Sequence, residues 1–169
     1  KKYQEMYAGM DIKLNPNVPD SLAEKAKKAI RGYYAHMTAL DDAIARLQAA
    51  IKASGQEENT IFVFTSDHGY HMGEHGHWQK QTLFDNATRI PLIFSGPGID
   101  NNVRIESAPV ELIDIYPTLM DLTGIESPDH VVGKSLKPIF ENNNSWHHAV
   151  ITKKIYDEAM LEIEKKNGN

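Results

Sequence analysis

Residues 61–64, Ile-Phe-Val-Phe, run straight into Asp67, His68 and Gly69, and this junction most limits what the chain can fold into. A continuous β-favouring apolar run without alternation predicts a strand covered on both faces. Open α/β sheets place their ligands at the carboxyl ends of such strands. A second run, residues 90–94, predicts another strand, closed by the turn Ser95-Gly96-Pro97-Gly98. Between them lie three glycines and His71, His75 and His77, which predict a loop, then a short helical turn over residues 82–86.

Helical patterns flank the strands. Apolar residues recur three or four positions apart at Leu22, Ala26, Ile30, Tyr33, Met37, Leu40, Ile44, Leu47 and Ile51, one buried face of a helix about 50 Å long. Ser21 and Glu24 have the spacing of a capping box, with Asp20 as an alternative cap, and Gly55 marks the stop. Residues 110–122 predict a second helix ended by Gly124, with Pro117 either kinking it or marking its effective first turn. Residues 1–19 read as an irregular lead-in broken by Pro16 and Pro19. Residues 126–149 read as loop with one short element at 136–140, and residues 153–166 as a charged helical tail. The order helix, strand, loop, strand, helix predicts an α/β fold with a mainly parallel sheet. Two strands are fewer than such a sheet carries, so further strands are expected from sequence outside these 169 residues.

Composition narrows the function classes. A net charge of −5 argues against broad electrostatic capture of nucleic acid. No run reaches the ~18 apolar residues of a membrane span. The absence of cysteine rules out disulfides and thiolate metal sites within these residues. Asn86-Ala87-Thr88 and Asn143-Asn144-Ser145 fit the glycosylation acceptor pattern, which also arises by chance.

Chemistry concentrates in residues 67–80. Asp67 and His68 can hold a divalent cation if the turn at Gly69 brings both onto one ion; alternatively Asp67 caps the turn and His68 fills space. His71 reads as an exposed or hydrogen-bonded loop histidine. His75 and His77 are suited to contact a bound anion or a leaving group, since an imidazole can give a proton to an alkoxide. Lys80 offers a compact positive charge for one oxygen of a tetrahedral anion, or is a solvated surface group. Arg89 is expected to pair with a nearby carboxylate such as Asp85. Trp78 either walls a sugar-binding cleft or staples the loop down.

The motifs Phe64-Thr65-Ser66-Asp67-His68-Gly69, Gly73-Glu74-His75-Gly76-His77-Trp78-Gln79-Lys80, Arg89-Ile90-Pro91-Leu92-Ile93-Phe94 and Asp114-Ile115-Tyr116-Pro117-Thr118-Leu119 occur here in order. Together they resemble the sulfatases of the alkaline-phosphatase-like superfamily, in particular the iduronate-2-sulfatase type, over roughly residues 1–140. The resemblance implies part of a doubly wound, mainly parallel sheet with flanking helices. It implies that Asp67 and His68 belong to the ligand set of a calcium ion, completed by acidic residues of an upstream strand, with magnesium, zinc or manganese as lesser alternatives. Lys80 would bind the substrate sulfate and, with His77, serve catalysis; His75 and Trp78 would contact substrate. The family's nucleophile is a formylglycine made within a Cys/Ser-x-Pro-x-Arg motif, and no such motif occurs here. The expectation is therefore a fragment: residues 1–150 as the C-terminal portion of a catalytic domain lacking its N-terminal half, and residues 151–169 as the start of a further element. The resemblance also implies a sulfated small-molecule or glycan substrate and a periplasmic, secreted or lysosomal location. No nucleic acid and no membrane partner are expected. Two other readings stay open: a metal-dependent phosphate or phosphonate ester hydrolase of the same superfamily, and a non-catalytic domain that kept the fold.

Overall fold

The structure, a computed structural model, describes residues 1–99 and 109–141, in two compact units spanning Lys1–Phe94 and Ser95–Asn169. The expected charged tail, the boundary at residue 150 and the Asn143 acceptor lie outside the described residues.

The first unit opens with helix α1, Lys2–Tyr7, where the sequence predicts an irregular lead-in. Six residues are too few to hold a helix by themselves. Contacts to the next helix hold this one: the Tyr3 hydroxyl donates to Asp42 at 2.7 Å, Tyr7 Oη lies 2.6 Å from Thr38 Oγ1, and the rings of Tyr7 and Tyr34 sit 5.8 Å apart. Residues 11–19 do run irregularly, apart from a turn near Pro16.

Helix α2 spans Ala23–Ala53, about 46 Å at 1.5 Å per residue. It is entered through a 3-10 turn, Asp20–Leu22, whose Leu22 amide bonds the Pro19 carbonyl. The capping box expected from Ser21 and Glu24 does not form, because the chain tightens into this turn and Leu22 takes the cap position without a side-chain bond. Gly55, with φ of 72°, follows the last turn as expected. Only Ala26 and Ala35 of this helix are buried. Tyr33, Met37, Leu40 and Leu47 of the expected apolar stripe are exposed, Leu47 by 56%.

Strands β1, Phe62–Thr65, and β4, Leu92–Ser95, pair side by side. Neither is covered on both faces, contrary to expectation. All of β1 is half-buried, and in β4 half-buried and exposed positions alternate, leaving Ile93 56% exposed. Between them, β2, His71–Met72, pairs antiparallel with β3, Trp78–Gln79, matching His71 to Gln79 and Met72 to Trp78. Helix α3, Asp85–Thr88, returns the chain to β4.

The second unit is built around α4, Ile115–Thr123, entered through a 3-10 turn, Leu112–Asp114. Pro117 lies in the first turn of α4, where a missing N–H costs no helical hydrogen bond, so it marks the start rather than a kink. Gly124 ends the helix at a φ of 72°. Asp114 is fully buried and accepts from the Glu111 amide and the Lys134 amide, each at 2.9 Å. The Thr118 hydroxyl donates to the Asp114 carbonyl at 2.5 Å and accepts from the Leu136 amide at 2.9 Å. These bonds strap residues 134–136 to α4 and lead into α5, Lys137–Phe140. At the rim, the Ser135 hydroxyl and then the Lys137 ammonium hold the Asp121 carboxyl below its ordinary range.

Candidate functional site

β1 ends at Thr65 and delivers Asp67 and His68 two and three residues later. The Ser66 hydroxyl donates to the His68 carbonyl at 2.8 Å, closing the turn. Asp67 Oδ2 and His68 Nε2 consequently stand 3.4 Å apart, the carboxylate 80% exposed and the imidazole 31%. His68 Nδ1 lies 2.7 Å from the Gly69 carbonyl oxygen. A carbonyl can only accept, so Nδ1 carries a proton, and in the neutral ring the lone pair is on Nε2. Fixing the tautomer from the far nitrogen is how metal-binding histidines are oriented. One hard oxygen and one imidazole lone pair, both open to solvent, therefore fit a shared divalent cation. Among the described residues no group of three or more His, Cys, Asp or Glu side chains could hold a metal.

The β2–β3 turn brings the other histidines together. Gly73, His75 and Gly76 all have positive φ, at 111°, 54° and 76°. The turn is held from below by Glu74, which is buried; its Oε2 accepts from the Met72 amide at 2.6 Å and its Oε1 from Asn15 Nδ2 at 3.3 Å. The lead-in also reaches His75 directly: the His75 amide donates to the Asn17 carbonyl at 2.9 Å, and Asn17 Nδ2 lies 2.9 Å from His75 Nε2.

Phe84 gathers the imidazoles. His75 stacks on its ring, 4.6 Å between centroids at 25°, while His71 and His77 stand at 6.0 and 6.2 Å. His71, predicted as an exposed or hydrogen-bonded loop residue, is fully buried and bonded: its Nε2 lies 2.6 Å from Thr82 Oγ1. Its Nδ1 has no hydrogen-bond partner among the described residues. His77 is exposed, with its ring 5.9 Å from that of His71.

Lys80 follows β3, is exposed, and makes no ion pair among the described residues. The expected pairing of Arg89 with Asp85 is absent among the described residues. The two meet through the backbone instead, the Arg89 amide bonding the Asp85 carbonyl at 2.8 Å as α3 ends. Trp78 is half-buried, and the Lys25 ammonium lies 4.3 Å from the indole centroid, so α2 occupies one face of the ring. Asn15, Asn17, Glu74, Thr82 and Phe84 are the site neighbours that sequence reasoning did not single out. Only Glu74 carried a signal, as the acidic member of Gly-Glu-His-Gly.

Residues 1–125 match the family model described as Sulfatase. The chain belongs to the sulfatase family. This sulfatase chain is 39% identical to the ulvan-active sulfatase of Formosa agariphila over 145 residues, which is 84% of the chain and 28% of that protein. It is similar to a solved protein bound to its substrate D-glucosamine-2-N,6-O-disulfate: 32% identity, TM-score 0.63, covering 80% of the chain and 28% of that one. It is also similar to the phosphonate monoester hydrolase of Silicibacter pomeroyi: 35% identity, TM-score 0.67, covering 72% of the chain and 24% of that one. The α/β, alkaline-phosphatase-like architecture expected from the sequence holds. The sulfatase chain spans about a quarter of the length of these relatives.

Proposed function

We propose that these residues form the cation- and sulfate-holding part of a sulfuric ester hydrolase acting on a sulfated sugar. The observation that carries this reading is the Asp67–His68 pair, with Asp67 Oδ2 and His68 Nε2 3.4 Å apart and His68 Nδ1 held by the Gly69 carbonyl. Asp67 and His68 would hold calcium, and the ion would supply positive charge to the ester's oxygens. Calcium, magnesium and manganese favour oxygen ligands, while imidazole suits zinc, so magnesium, manganese and zinc are the competitors in any binding test. Lys80 binds an oxygen of the sulfate, and its ammonium is not taken by a described carboxylate. His77, exposed beside the cluster, donates a proton to the departing alcohol oxygen. His75 and Trp78 contact the sugar side of the substrate. The formylglycine nucleophile, the remaining metal ligands and the N-terminal half of the domain would come from sequence outside this chain. Periplasmic, secreted or lysosomal placement belongs to the same proposal.

The sulfated-sugar assignment is supported by the ulvan-active relative and by the glucosamine disulfate substrate of the solved one. A phosphonate or phosphate ester is the second reading, favoured by the 35% identity to a phosphonate monoester hydrolase. The test uses the full-length protein carrying these residues, assayed on aryl sulfate and aryl phosphonate. Asp67→Ala should abolish bound calcium, and Lys80→Ala should lower aryl sulfate turnover by about 3–4 kcal/mol of transition-state stabilisation. Unchanged metal content in Asp67→Ala removes that residue from the site. Preference for the phosphonate selects the second reading, and no turnover of either ester leaves a non-catalytic sulfatase-like domain.

A further inference from the structure

We infer that Asn17 is a positioning residue that locks His75 as the neutral tautomer protonated on Nδ1. The use of that N–H rests on the sulfatase reading above; the tautomer itself does not. His75 holds a φ of 54°, a conformation that non-glycine residues keep only where their surroundings over-determine it. Three contacts do so. The backbone is clamped by the bond from the His75 amide to the Asn17 carbonyl, 2.9 Å, and one face of the ring is covered by Phe84. The third contact sets the proton. Asn17 Nδ2 lies 2.9 Å from His75 Nε2, and an amide nitrogen can only donate, so Nε2 is the acceptor. The neutral ring then carries its proton on Nδ1, the tautomer that free histidine disfavours.

Nδ1 has no hydrogen-bond partner among the described residues, and His75 is exposed. The turn thus presents a neutral N–H donor, suited to an ester or sulfate oxygen. Without Asn17 the same nitrogen would mostly be a lone pair, which repels such an oxygen. Asn17 determines whether this edge of the ring attracts or rejects an oxyanion ester, and it does so from a segment 58 residues away in sequence.

Long-range proton–nitrogen correlation spectra of the full-length protein carrying these residues, recorded above neutral pH, read the tautomer directly. The expected result is His75 protonated on Nδ1. In Asn17→Ala that population should fall to the minority share seen in free histidine, while the His75 amide signal stays in place because its backbone bond survives. Phe84→Leu, which removes the stack but not the amide, should keep the Nδ1 tautomer. A wild-type ring protonated on Nε2 overturns the inference, as does an Asn17→Ala spectrum with the tautomer unchanged. So does a Phe84→Leu shift as large as that of Asn17→Ala. The measurement needs neither metal nor substrate. Its failure is therefore separate from any failure of the Asp67 and Lys80 tests.

Discussion

A β-carbon on Gly69 would stand 2.0 Å from the carbonyl oxygen of Asn86 and 2.9 Å from its carbonyl carbon. The glycine is required by close approach rather than by a positive φ, since its φ is not in the left-handed range. Its amide donates to the Ala87 carbonyl at 2.7 Å, and its own carbonyl orients His68, so one residue joins α3 to the proposed cation pair. Gly69→Ala should destabilise the chain by about 1–3 kcal/mol, the usual cost of forcing atoms into a filled space. Denaturant unfolding reads this as a lower midpoint, and an unchanged midpoint would contradict the packing argument. The Asp-His-Gly motif was legible as a turn following the strand. The carbonyl it presses against lies 17 residues away, and local pattern carries no trace of it.

At the scale of elements, the segments with strong periodicity or strong end signals were readable. These are α2, β1, β4 and α4 with its Gly124 stop, each within a few residues of expectation. α1 was not, because its six residues are helical only against Tyr34, Thr38 and Asp42. The strap of the second unit was also invisible in advance. Asp114 sits between apolar residues in the pattern, yet each carboxylate oxygen accepts a backbone amide, one of them from Lys134 twenty residues on. Asp114→Ala should orphan both donors at about 1–3 kcal/mol each, the penalty for a buried polar group left unpaired. The loss should appear in hydrogen exchange as faster opening of residues 134–136. Protection equal to wild type would show that the strap is held by other contacts.

For the whole molecule, α2 and β4 leave Leu47 and Ile93 more than half exposed, although their patterns are those of buried elements. The chain also contains no Cys/Ser-x-Pro-x-Arg motif, and only two proposed cation donors lie beside each other. The purified 169 residues are therefore expected to hydrolyse no aryl sulfate, with or without added calcium. Turnover above the uncatalysed rate in a colorimetric assay would place a nucleophile within this chain and overturn the division of labour proposed above.

Residue types and spacing by themselves determined the α/β class, the strand that leads into Asp67 and His68, and the family, because periodicity and motif order are properties of the chain read locally. The tertiary structure alone decided which nitrogen of His68 faces the Gly69 carbonyl and which faces Asp67, that His71 is buried against Thr82, that Phe84 collects three imidazoles, and that Asn17 reaches His75. Each of these depends on distances between segments that sequence does not encode one by one. A hydrogen bond is satisfied or lost over a few tenths of an ångström, and only the packed chain sets that.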